Sequence, residues 1–260
     1  PQSHHLDEQI ALQTNRYTVG LHHPIGVISA ETYLSAYDYG EGWTGTAIRQ
    51  GMSGDIDLSN LGNFVTTGPK PKLELLLTGE NNLGHHVTIE VGPDAGSLRP
   101  WKSADFDYNY NEMVIGDLEW SDLTGGNLTV RVSVIDNGVS DRVSITMARL
   151  VYSQAWDQNS ASQKTYHLPL TNASRSFVHI DNVPSGANLY DISDEENILQ
   201  IGYDKQGSGI EAIVPNDASG RTLLIASERK QVPKMGLVSM RKIDPAKADF
   251  LIVTHKSLRS

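Results

Sequence analysis

Between Leu128 and Tyr152 apolar and polar side chains alternate. Leu128, Val130, Val132 and Val134 interleave with Thr129, Arg131 and Ser133, and after Asp136-Asn137-Gly138 the rhythm resumes with Val143, Ile145 and Met147. Successive side chains of an extended chain point to opposite faces, so the pattern describes two half-buried strands. The residues between them tolerate positive φ, which predicts an antiparallel hairpin. Residues 149–152 prolong its second strand enough to cross a whole sheet. Residues 73–77 and 87–91 read the same way around the turn formers at 79–84, predicting a second hairpin. Further strands are expected at 60–67 and 113–118, so residues 46–155 hold the strands of a jelly-roll-like β-sandwich. No window of a dozen residues shows helical spacing free of Gly or Pro.

After the polar residues 157–164, short apolar segments recur at 166–170, 176–180, 188–192, 198–203, 210–214 and 221–226. Turn formers such as Pro184-Ser185-Gly186 and Gly207-Ser208-Gly209 separate them, predicting a second, smaller β unit over 156–235. Residues 1–45, extended most clearly at 26–39, are expected to pair with that later unit. Residues 248–255 differ in kind. Their near-continuous apolar run is that of a strand buried on both faces of a parallel sheet, which needs helices to cover it. Residues 236–260 therefore read as a linker and the first strand of an α/β domain missing from the chain, and the fold class is all-β otherwise.

Composition narrows the function classes. With 31 acidic and 21 basic residues the formal charge is −10, which repels phosphate backbones and anionic lipid, so nucleic acid is not an expected partner. Zero cysteines remove disulfides, thiolate metal sites and thiol nucleophiles from this chain. No apolar run approaches the roughly 20 residues that span a bilayer.

Candidate chemistry is sparse. His4-His5, His22-His23 and His85-His86 invite a metal reading, but neighbours on a strand face opposite ways and cannot readily share one ion. Asp105, Asp107, Asn109 and Asn111 resemble a calcium loop, yet Tyr110 and Gly116 stand where such a loop needs Gly and Glu. Their alternation with Phe106, Tyr108 and Tyr110 describes an edge strand instead. Asp191, Asp194, Glu195 and Glu196 read as a turn, with calcium as the alternative at both clusters; no cofactor is otherwise expected. Gly40, Gly42 and Gly45 lack the strand and helix that would make them a dinucleotide loop. No P-loop, G-x-S-x-G or H-E-x-x-H occurs. Trp101, Tyr108, Tyr110 and Trp120 are the candidate carbohydrate-binding residues, since aromatic faces stack on sugar rings; burial in the sandwich core is the competing reading.

Four stretches carry a resemblance. The 132–152 pattern, Phe177-Val178-His179-Ile180, Leu189-Tyr190-Asp191-Ile192-Ser193-Asp194 and the run at 248–255 follow one another in an order that resembles gingipain-like cysteine peptidases of clan CD. More narrowly, it is similar to the region preceding the peptidase domain in sortase-like members of the type IX secretion system of Bacteroidetes. Residues 190–194 are similar to that group's Y/V-D-I-T-D-P motif, residues 250–257 to its Y-L-I-I-T-H-P-S, and His85-His86-Val87 to its H-H-V strand. Glu195 and Lys256 replace prolines of those motifs. The resemblance spans residues 25–260 through short, mostly structural motifs. It implies the N-terminal β-region of a secreted or cell-surface cysteine endopeptidase, with the downstream peptidase domain as partner and secretion-machinery proteins or glycans as further ones. In that family the catalytic His and Cys follow the strand matched at 248–255, so no catalytic residue is assigned here and His255 is not one. A free-standing carbohydrate-binding or adhesive module is the alternative reading.

Overall fold

The computed structural model describes residues 2–17, 21–22, 31–32, 43–81, 83–107, 111–136, 138, 140–216 and 220–228. These all belong to one compact unit, residues 1–228. The second unit, 229–260, lies outside the described residues, and with it the expected strand at 248–255. Most of 26–39 lies outside them too.

In chain order the strands of three or more residues are β1 His5–Leu12, β2 Ser53–Ser59, β3 Lys72–Gly79, β4 Gly84–Gly92, β5 Arg99–Asp107, β6 Asn111–Asp117, β7 Asn127–Val134 and β8 Arg142–Gln154. They continue with β9 Gln163–Leu168, β10 Arg175–Ile180, β11 Asn188–Asp191, β12 Leu199–Ile201, β13 Asp204–Gln206, β14 Gly209–Pro215 and β15 Arg221–Ala226. All pair antiparallel. A large sheet runs β6-β3-β8-β1-β9-β15-β11-β12, a four-stranded sheet β5-β4-β7-β2 and a three-stranded sheet β10-β14-β13. The fold is an all-β sandwich.

Two apolar clusters form where these sheets face one another. The first joins Leu73, Leu75, Leu77, Ile145 and Leu150 of the large sheet to Ile56, Ile89, Leu128, Val130 and Val132 of the four-stranded one. The second joins Tyr166, Leu189, Leu223 and Ile225 to Val178, Ile180, Ile210 and Val214 of the three-stranded one. Full burial of each aliphatic side chain contributes about 1.5–3 kcal/mol, so the alternating strands supply most of the driving force. β1 connects the two halves of the large sheet. It pairs with β8 from His5↔Gln154 to Leu12↔Met147 and meets β9 at Leu6↔His167.

Both expected hairpins are wrong in their pairing. β7 lies in the four-stranded sheet and β8 in the large one, so the connection 135–141 arches between sheets. β3 and β4 are parted in the same way. The alternation was read correctly, but an arch and a hairpin use the same turn residues, and either leaves one apolar face inward. The strand expected at 60–67 is reduced to one bridge, Phe64↔Gln154; the regular strand precedes it at β2. The alternating stretch 105–112 is not one edge strand. It holds the end of β5 and the start of β6, edge strands of different sheets.

A 3-10 segment, Trp120–Gly126, kinked at Thr124 and Gly125, leads into β7. Gly126 has φ 77 and its carbonyl accepts the Leu61 N–H at 3.0 Å. A Cβ there would stand 2.5 Å from the Leu61 carbonyl oxygen. Gly126→Ala is expected to lower unfolding free energy by about 1–3 kcal/mol, through backbone strain and displacement of that contact. Urea denaturation with an unchanged m-value checks this.

Candidate functional site

Trp101 lies on β5, an edge strand, and is partly buried against the first cluster. Its indole N–H donates to the Asp117 carbonyl at 2.9 Å, and the Lys102 ammonium stands 5.6 Å from the ring centroid. Gly116 makes room for it, since a Cβ there would lie 3.0 Å from Trp101 Cζ2. Trp120 packs against the same cluster, 5.8 Å from the Phe64 ring, which in turn meets Tyr152 at 5.4 Å. Both tryptophans thus serve the sandwich interior with part of their surface. Tyr108 and Tyr110 lie outside the described residues.

The His85–His86 pair diverges as strand geometry requires. His85 is buried with its Nδ1 2.5 Å from Asp141 Oδ1 and its ring 4.8 Å from Phe106, whereas His86 turns outward to Asp105. His5 is buried and His4 is only half-buried. His23 lies outside the described residues. The acidic clusters have internal partners as well. Asp191 is buried, accepts from the Ser193 N–H and hydroxyl, and pairs with Arg221 at 3.1 Å. Asp194 accepts from the Glu196 N–H at 3.0 Å, closing the turn. Among the described residues, no three His, Asp or Glu side chains converge as metal ligands.

The polar seam where β1 joins β8 and β9 carries strongly perturbed groups that the alternation of apolar residues could not reveal. The His5 ring lies 4.7 Å from Tyr166 and 5.2 Å from Trp156, with Nε2 3.1 Å from Gln154 Oε1. Burial, aided by the Lys164 charge, lowers its pKa to about 4. Burial also lowers the Lys164 pKa and raises those of Tyr152 and Tyr166. Lys164 donates to the Asp157 carbonyl at 2.7 Å, and the Tyr166 hydroxyl donates to Gln158 Oε1 at 2.8 Å. These partners fix the seam in place. On the three-stranded sheet, His179 sits between Glu211 at 3.1 Å and Asp181 at 3.2 Å, and its hydrogen bond to Glu211 is the main cause of its raised pKa.

No family model and no curated protein sequence matches this chain. Among solved structures it is similar to dimeric latent PorU from Porphyromonas gingivalis, with a TM-score of 0.63 at 10% identity over 86% of this chain and 20% of that one. What the two share is the fold. The chain spans one fifth of PorU's length. A carbohydrate-binding domain, CBM36-1 of a multidomain xylanase from the hindgut metagenome of Trinervitermes trinervoides, gives a TM-score of 0.32 at 12% identity over 55% of this chain and 96% of that domain. That score is too low to carry an argument. Among the described residues, no helix is long and apolar enough to cross a membrane.

Proposed function

We propose that this chain is the noncatalytic β-region of a secreted or surface gingipain-like cysteine peptidase, supporting the catalytic domain that follows it and that domain's contacts with substrate or secretion machinery. The observation that carries the reading is the fold shared with PorU over 86% of the chain. The short motifs at 85–87, 190–194 and 250–257 agree with it, and the absence of cysteine leaves this region without the nucleophile such chemistry needs. The domain borders follow from the same reading: an N-terminal segment to 45, a sandwich at 46–155, a smaller β unit at 156–235 and the entry to the peptidase domain from 236. Immunoprecipitation of the natural polypeptide with an antibody to this region provides the test. It is expected to recover a chain well above 28.5 kDa that a thiol-directed peptidase probe labels. A 28.5 kDa product alone, unlabelled, overturns the reading.

The second reading, a carbohydrate-binding or adhesive module, draws support from Trp101, a partly exposed ring held at a sheet edge by its bond to Asp117. A glycan array separates the two readings. The peptidase-region reading expects no glycan whose binding differs between wild type and Trp101→Ala, while a glycan lost only in the variant would establish the second.

A further inference from the structure

The three-stranded sheet has an inner face on the second cluster and an outer face open to solvent. Inward on β10 and β14 are Val178, Ile180, Ile210, Ala212 and Val214, all nearly fully buried. A half-exposed sheet should be polar on its outer side. Here Arg175, His179, Glu211 and Asp204 obey that rule, but Phe177 and Ile213 do not. The two exceptions are direct cross-strand partners, 37% and 58% exposed. One row along, His179, Glu211 and Asp204 align across all three strands.

Beside this apolar pair is an open recess of about 440 Å³, lined by Phe177, Ile213, Tyr203, Gly202, Glu211 and Asp204, with Ala212 beneath. Its volume falls in the range of small-ligand sites, roughly 300–1,000 Å³. Tyr203 is fixed by its hydroxyl, which donates to the Ala187 carbonyl at 2.5 Å. Glu211 is oriented by His179 at 3.1 Å. The exposed Asp204 carboxylate makes no hydrogen bond or ion pair among the described residues. Gly202 leaves the opening clear, with nothing within 4 Å of where a Cβ would stand.

We infer that this recess receives a lysine or arginine side chain from an extended, otherwise apolar segment of a protein partner. Aromatic and aliphatic walls accept the stem or the guanidinium plane, and Asp204 meets the charge, with Glu211, shared with His179, beside it. Arg175 stands beyond the Phe177–Ile213 pair, away from Asp204 and Glu211, and His179 lies on the far side of Glu211 from Asp204, so the cation has one favourable end to enter. The formal charge of −10 draws a basic partner and opposes a second copy of this chain or an anionic ligand. None of this depends on the peptidase reading.

Fluorescence anisotropy on the 260-residue protein tests the inference. The probes are a labelled octapeptide with one arginine flanked by valines and its counterpart with glutamine. The arginine peptide is expected to bind roughly tenfold tighter or better. Gly202→Phe fills the recess without changing charge and is expected to weaken binding by a similar factor. Asp204→Asn weakens it severalfold, whereas Asp94→Asn, on the turn between β4 and β5, leaves it within about twofold. Equal binding of both peptides overturns the inference, as does a normally melting Gly202→Phe protein with undiminished affinity. Equal losses in Asp94→Asn and Asp204→Asn also overturn it, because they indicate diffuse attraction alone. Should Gly202→Phe fail to fold, Ile213→Ser reads the same wall and must show the same loss.

Discussion

Asp141→Ala is expected to lower the unfolding free energy by about 3–5 kcal/mol, the cost of leaving one member of a buried ionisable pair without the other. The side chains of Asp141 and His85 are fully enclosed, with Oδ1 and Nδ1 2.5 Å apart, and Asp141 Oδ2 also accepts from the His86 N–H at 3.4 Å. Further polar contacts join the same end of the sandwich. Asn81 donates to the Ser140 carbonyl at 2.7 Å, Ser144 donates to Glu80 Oε1 at 2.6 Å, and the Glu80 N–H donates to the Arg142 carbonyl at 2.9 Å. These bonds staple the β3–β4 arch to the β7–β8 arch. Asp141→Asn, which keeps the shape and one acceptor, should lose less, about 1–3 kcal/mol. Urea unfolding of both variants and of a His85→Phe/Asp141→Leu double variant checks the account. A loss below about 1 kcal/mol in Asp141→Ala would show that the pair is not what holds the arches.

Acid should weaken the protein well before its carboxylates titrate, because of His5. The unfolded chain protonates this residue near its ordinary 6.5, while the folded chain holds it neutral down to about 4. A lowered histidine pKa means that the unfolded state binds the extra proton first, so its contribution is complete above pH 6.5 and is lost as pH falls toward 4. The loss is about 3 kcal/mol, at 1.36 kcal/mol for each pKa unit. His5→Gln should be less stable at pH 7.5 but should lack this slope. Chemical denaturation of both proteins at pH 7.5, 5.5 and 4.5 isolates the difference from carboxylate effects common to the two. Parallel curves would sink the prediction.

Strand positions were legible because Leu128, Val130, Val132 and Val134 each bury a side chain at a fixed period, and the structure encloses all four. Strand partners were not, because the Asp136-Asn137-Gly138 connection suits an arch as well as a hairpin. Residues 1–45 read as extended, but β1 was not singled out within them, for a physical reason. Ile10 and Leu12 point outward, 49% and 54% exposed, while Asp7 and Gln9 share the side of buried His5, so its polarity runs against the usual rule. Of the candidate site, the divergence of His85 and His86 could be deduced from the two-residue period. The His85–Asp141 pair could not, since 56 residues separate them and only the closed sandwich brings them together.

The place of β1 also sets a problem of timing. It is synthesised well before its principal partner, β8, which begins at Arg142, and its other neighbour, β9, which follows only at Gln163. At ordinary elongation rates both its edges stay unpaired for roughly ten seconds after it leaves the ribosome. Closure of the large sheet is therefore expected to wait until β8 and β9 have both been made, later than either half of the molecule would need on its own.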